Sequence, residues 1–174
     1  KKIRLKSKPY NYVIEPTNIC NLQCPLCSTG VGAKTRDKGK MTLENFKKFI
    51  DEIKDVAIQI SLQNWGESTL VKELPLMIKY ASDNNIFVNL STNFSVNYSE
   101  NYLEELMKSG LGVLLVDLDG TTNEIYKKYR VSGDLDQVLK NIEMIVKFKK
   151  ENNIKYPIIK TKMLVMKHNE HQIE

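Results

Sequence analysis

Short apolar runs alternate with segments whose apolar residues recur at helical spacing, and the alternation continues along nearly the whole chain. Tyr12–Glu15 reads as a first strand. Thr42 caps a helix that places Leu43, Phe46, Phe49, Ile50 and Ile53 on one face. Val56–Leu62 is a second strand, and Glu73–Asn84 a helix with Leu74, Ile78 and Ala81 as its buried stripe. Phe87–Leu90 is a third strand. Ser99 caps the next helix, with Leu103, Leu106 and Met107 inward and Gly110 placed for a left-handed C-terminal cap. Val113–Asp117 is a fourth strand, apolar enough to be covered on both faces. Thr121-Thr-Asn-Glu124 has capping-box form and opens a short helix. Asp134-Leu-Asp-Gln137 opens a longer one, with Val138, Leu139, Ile142, Ile145 and Val146 toward the core. Ile158–Val165 is a fifth strand.

Strands alternating with helices imply a parallel sheet with crossover helices. The expected fold is α/β, a partial TIM-like (β/α) barrel of five parallel strands with outer helices. Residues 1–11 form a basic N-terminal segment and 12–174 the core. Five strands followed by the polar stretch His168–Glu174 do not close a barrel. The chain therefore reads as the front part of a longer protein, its core incomplete at the C-terminus.

At 174 residues the chain is one domain with room for a real core. No apolar run approaches the ~18 residues of a membrane span. The net charge of +5 is concentrated in Lys1, Lys2, Arg4, Lys6 and Lys8 and in Lys147, Lys149 and Lys150. No aromatic residues interleave with these for base stacking, so they read as a solvated tail and helix face, and a nucleic-acid partner is not expected.

All three cysteines fall within eight residues, Cys20-Asn-Leu-Gln-Cys24-Pro-Leu-Cys27. The odd count and the absence of a secretory signal argue against a disulfide framework and for a reducing, cytoplasmic setting. Inert core cysteines are not expected at this spacing around Pro25. Three thiolates are one fewer than a closed tetrahedral zinc site needs, and His168 or His171 is the candidate fourth ligand. Three thiolates can also hold a cubane iron–sulfur cluster and leave one iron open to a small molecule. Other polar groups stand just past strand ends: Asn64-Trp65-Gly66-Glu67, Ser91-Thr92-Asn93 and Asp117-Leu118-Asp119-Gly120. Ligands bind at the carboxyl ends of parallel strands, so these loops and the cysteine loop describe one site.

The stretch Glu15-Pro-Thr-Asn-Ile-Cys20-Asn-Leu-Gln-Cys24-Pro-Leu-Cys27 resembles the cluster loop of the radical S-adenosylmethionine (SAM) enzymes, and the likeness covers about residues 10–166. It is closest to members with a C-terminal cysteine-rich extension of SPASM or twitch type. The resemblance implies a 4Fe–4S cluster on Cys20, Cys24 and Cys27, with SAM on the open iron. It implies reductive cleavage of SAM to a 5′-deoxyadenosyl radical that abstracts a substrate hydrogen. Trp65-Gly66-Glu67-Ser68 is similar to the segment that binds the SAM amino group. Asp117 and Arg130 match the positions that hold the SAM carboxylate and ribose, and Asn93 lies in the segment near the ribose or substrate. Leu26 stands where an aromatic residue usually packs on adenine, Ser68 where a proline follows the glutamate, and Asp117 where a serine is usual. The implied partners are an electron donor such as flavodoxin or ferredoxin and a substrate, a peptide or protein first and a carbohydrate second. A non-enzymatic, metal-stabilised binding module is the alternative, and it has no need of Glu67 or Arg130.

Overall fold

The computed structural model describes residues 7–33 and 36–173. The expectations placed on Lys1, Lys2, Arg4 and Lys6 lie outside them. Five strands, β1 (Asn11–Ile14), β2 (Gln59–Leu62), β3 (Phe87–Thr92), β4 (Val113–Asp117) and β5 (Ile158–Lys162), form one sheet in sequential order. Every neighbouring pair is parallel. The crossovers carry α1 (Leu43–Ile53), α2 (Leu74–Asp83), α3 (Glu100–Lys108), α4 (Asn123–Tyr129) and α5 (Leu135–Glu151).

One face of the sheet is the core. Ile60, Leu62, Val88, Leu90, Leu114 and Val116 are buried in one cluster with Phe46 and Ile50 of α1, Met77 of α2, Leu106 of α3 and Val138 of α5. The other face alternates with it, as period-two geometry requires, and carries Ser61, Asn89, Ser91 and Asp117. On β4, Val113 and Leu115 are only half-buried, so this strand is fully covered on its helix side alone. Because all strands run parallel, the loops that follow them share one rim. β1 and β5 are the outer strands of the sheet.

The helices begin where their caps place them. Thr42 accepts from the Asn45 N–H and Ser99 from the Tyr102 N–H. Gly110 takes a φ of 86° beyond α3. The α4 cap is Thr122, which accepts from the Ile125 N–H, one residue later than the capping-box reading put it. The Thr121 N–H is instead donated to the Gln172 side chain. Val56 and Ala57 do not extend β2, because their N–H groups close the turn after α1 on the Ile53 carbonyl. β5 stops at Lys162, and the Leu164 N–H goes to the Asp119 carboxylate rather than a ladder partner.

Helix α5 departs most from its apolar pattern. Leu139 and Val146 are about half exposed, and the buried stripe runs through Leu135, Val138, Asn141 and Ile145. Asn141 is fully buried and donates to the carbonyls of Phe94 and Val96. Those carbonyls belong to the loop after β3, where Phe94 is buried with a left-handed φ of 52°. A polar side chain inside the stripe thus turns the helix and holds a loop of the rim.

Replacing Asn141 by Leu keeps the branched shape of the side chain but leaves the Phe94 carbonyl without its side-chain donor, while the Val96 carbonyl retains the Tyr98 N–H. Each unsatisfied group costs roughly 1–3 kcal/mol. Asn141→Leu is expected to lower unfolding stability by about 1–3 kcal/mol in urea denaturation, against less than about 1 kcal/mol for exposed Leu139→Gln.

Candidate functional site

The cysteine loop leaves β1 and is tied to two distant segments. The Gln23 N–H donates to the Val131 carbonyl at 3.0 Å, and the Asn21 side chain donates to the Ser95 carbonyl at 2.8 Å. The Cys27 N–H closes a turn on the Cys24 carbonyl at 3.1 Å. Gly30 passes so close beneath that turn that a Cβ would fall on the Cys24 backbone. All three cysteines are free thiols. Burial pushes the Cys20 thiol up to about 11, against the opposing hydrogen bond from the Leu22 N–H. Burial also raises Cys24, while the Arg130 guanidinium pulls it back. Metal binding to such thiols therefore releases protons.

Among the described residues, no three His, Cys, Asp or Glu side chains are grouped as one bound ion requires. A zinc site using His168 or His171 has no ligand set there.

The loop after β2 is threaded against the cysteine loop. The Glu67 N–H donates to the Ile19 carbonyl at 2.9 Å, and a Cβ on Gly66 would collide with the Thr17 carbonyl. Only glycine permits this approach. The Glu67 side chain is buried. Its Oε1 accepts from the Thr69 N–H, the Thr69 hydroxyl and the Thr92 hydroxyl, and its Oε2 accepts from the Asn93 N–H at 2.8 Å. Burial raises its pKa, and the donors from Thr69, Asn93 and Thr92 work against that rise. Asn93 in turn donates from Nδ2 to Asn21 at 3.0 Å and toward the Cys20 sulfur at 3.8 Å.

Arg130 ends α4 and is largely buried. Its Nε donates to Asp119 at 2.6 Å and its Nη2 lies 3.1 Å from Asp117. Nη1 points to the Cys24 sulfur at 3.9 Å. Burial opposes the guanidinium charge, but Asp117 and Asp119 outweigh it and hold the group protonated. Lys162, the register partner of Asp117 on β5, places Nζ 2.7 Å from that carboxylate.

One cavity of about 520 Å³ joins these loops. Cys20, Cys24, Cys27, Leu26, Gly66, Glu67, Asn93, Asp117 and Arg130 all line it. Leu26 is largely exposed at its mouth, and Trp65 is half exposed on the cavity. The pattern of residues did not single out Thr69 or Lys162, and it named Thr92 only within the segment Ser91-Thr92-Asn93. Lys162 had a signal, because two lysines at period two in an otherwise apolar strand mark a polar face.

Comparison with known proteins shows the family of the chain. The model of the Radical SAM superfamily matches residues 14–174. The PqqA peptide cyclase of Bradyrhizobium diazoefficiens is 33% identical over 84 residues, 48% of this chain and 22% of that protein. The AdoMet-dependent heme synthase of Methanosarcina barkeri is 28% identical over 146 residues, 83% of this chain and 41% of that protein. The chain thus spans less than half the length of either relative. The solved structure of anSMEcpe with bound AdoMet superposes with a TM-score of 0.63 at 19% identity, covering 88% of this chain and 52% of that one, which speaks for the fold. With its parallel sheet, its cysteine loop at the carboxyl rim and a family match over most of its length, the chain belongs to the radical SAM superfamily.

Proposed function

We propose that the cavity binds a 4Fe–4S cluster and SAM, and that the chain is the SAM-cleaving core of an enzyme that abstracts a hydrogen atom from its substrate. The observation that carries this reading is convergence: the three thiols, Glu67 and Arg130 lie far apart in sequence and line one cavity. Cys20, Cys24 and Cys27 would hold the cluster. When reduced and bound to SAM, that cofactor pair supplies radical chemistry no amino-acid side chain provides.

The remaining work falls to the chain's own residues. Glu67 Oε1 carries three hydrogen bonds, but Oε2 carries one and keeps acceptor capacity for the SAM ammonium. Arg130 supplies a guanidinium for the SAM carboxylate, with Nη1 turned to the cysteine loop. Asp117 reaches SAM only through its pairing with Arg130. Asn93 and Gly66 shape the wall beside Cys20, and Leu26 gives the adenine an apolar contact without stacking.

The likeness to a PqqA peptide cyclase supports a peptide or protein as the substrate class. An electron donor of flavodoxin or ferredoxin type would complete the system.

Two measurements follow. The chain reconstituted anaerobically with iron and sulfide is expected to hold about four irons, and Cys24→Ala to lose most of them. Stoichiometric zinc with no sulfide would favour the binding-module reading. In cluster-loaded protein, Arg130→Ala and Glu67→Gln should each weaken SAM binding by roughly ten- to a hundredfold with iron content retained, the loss of one charge-assisted hydrogen bond. Equilibrium titration with SAM checks this, and unchanged affinity in both variants would remove SAM from the cavity.

A further inference from the structure

At the β4–β5 edge of the cavity four charges stand in contact. Asp117 and Asp119 are the acids, and Arg130 and Lys162 the bases. The set is balanced, but its members are not equally committed. Asp119 is fully buried, holds Arg130 Nε at 2.6 Å and accepts the Leu164 N–H at 2.7 Å. It is fixed in place. Asp117 is shared as an ion pair: Arg130 Nη2 lies 3.1 Å from one oxygen and Lys162 Nζ lies 2.7 Å from the other, which is buried and has no hydrogen-bond partner, so charge rather than hydrogen bonding joins Lys162 to it.

Arg130 offers an anion that enters the cavity its Nη1, the one guanidinium nitrogen that faces no carboxylate. Without Lys162 the remaining trio would carry a net negative charge in a site where Asp117 and Arg130 are largely shielded from water. Asp117 would then repel the incoming carboxylate and hold Nη2 more tightly. Lys162 opposes both effects. Its position follows from the sheet, because Asp117 and Lys162 are directly paired residues of parallel strands and both side chains face the cavity.

We propose that Lys162 is a positioning residue for SAM: by neutralising Asp117 it leaves Arg130 free to pair with the SAM carboxylate. The inference rests on the SAM reading given above. Lys162 does not itself touch the ligand. The blander role is a strut between β4 and the outer strand β5. A strut would affect folding stability and be indifferent to the charge on Asp117.

The test is a double-substitution cycle on the cluster-loaded chain, read as SAM affinity by equilibrium titration, with iron content and melting temperature measured alongside. Lys162 is half exposed, so solvent screens it and the expected loss is moderate. Lys162→Gln should weaken SAM binding roughly three- to tenfold, and Lys162→Arg should retain it. Asp117→Asn added to Lys162→Gln should restore affinity to within about twofold of the parent, since the charge that needed neutralising is gone. The proposal is overturned if Lys162→Gln leaves SAM affinity unchanged. It is equally overturned if the double variant binds no better than Lys162→Gln. An unsubstituted chain that carries its cluster but takes up no SAM sinks the broader reading instead, so the two failures are distinguishable.

Discussion

A single buried carboxylate joins three of the four loops at the carboxyl rim. Glu67 follows β2, yet its oxygens hold the Thr92 hydroxyl and the Asn93 N–H at the end of β3, while its own N–H is held by Ile19 in the cysteine loop. Asn93 carries the connection on to Asn21 and the Cys20 sulfur. A carboxylate taken this far from water is costly unless its acceptors are filled, and four donors fill most of them. The knot demands a close approach, and that is why Gly66 precedes it. It ties Cys20 to the sheet, so the geometry of the cysteine loop depends on it.

The fourth loop is organised by charge. Arg130 reaches from the end of α4 into two carboxylates of the β4 loop, and its third nitrogen reaches toward Cys24. Asn169, fully buried, holds the Asp119 carbonyl and so braces the same loop from the segment after β5. The cavity thus has a hydrogen-bonded carboxylate side built on Glu67 and a charge-balanced side built on Arg130. A zwitterionic amino acid end, ammonium to one side and carboxylate to the other, suits that polarity.

Much of this was legible in the sequence because short-range rules carried it. Period-two and helical spacing located all five strands and the helices, and Ser99 and Thr42 act as the caps their chemistry suggests. The cysteine spacing and the polar residues past the strand ends gave the site. The rest depended on partners distant in the chain. Leu139 and Val146 fit the apolar stripe of α5 as well as any residue, but buried Asn141, drawn in by two loop carbonyls, turned that helix away from them. Thr121 and Thr122 are equivalent as caps until Gln172 claims the first. Lys162 acquires meaning only from its register with Asp117, which no local pattern encodes.

The central claim is that SAM meets the open iron of a cluster held by Cys20, Cys24 and Cys27. Electron–nuclear double resonance on the reduced, cluster-loaded chain mixed with amino-nitrogen-labelled SAM tests it most directly. The account predicts a resolved coupling between the label and the cluster spin, weakened in Arg130→Ala. Spectra identical with and without SAM would contradict it.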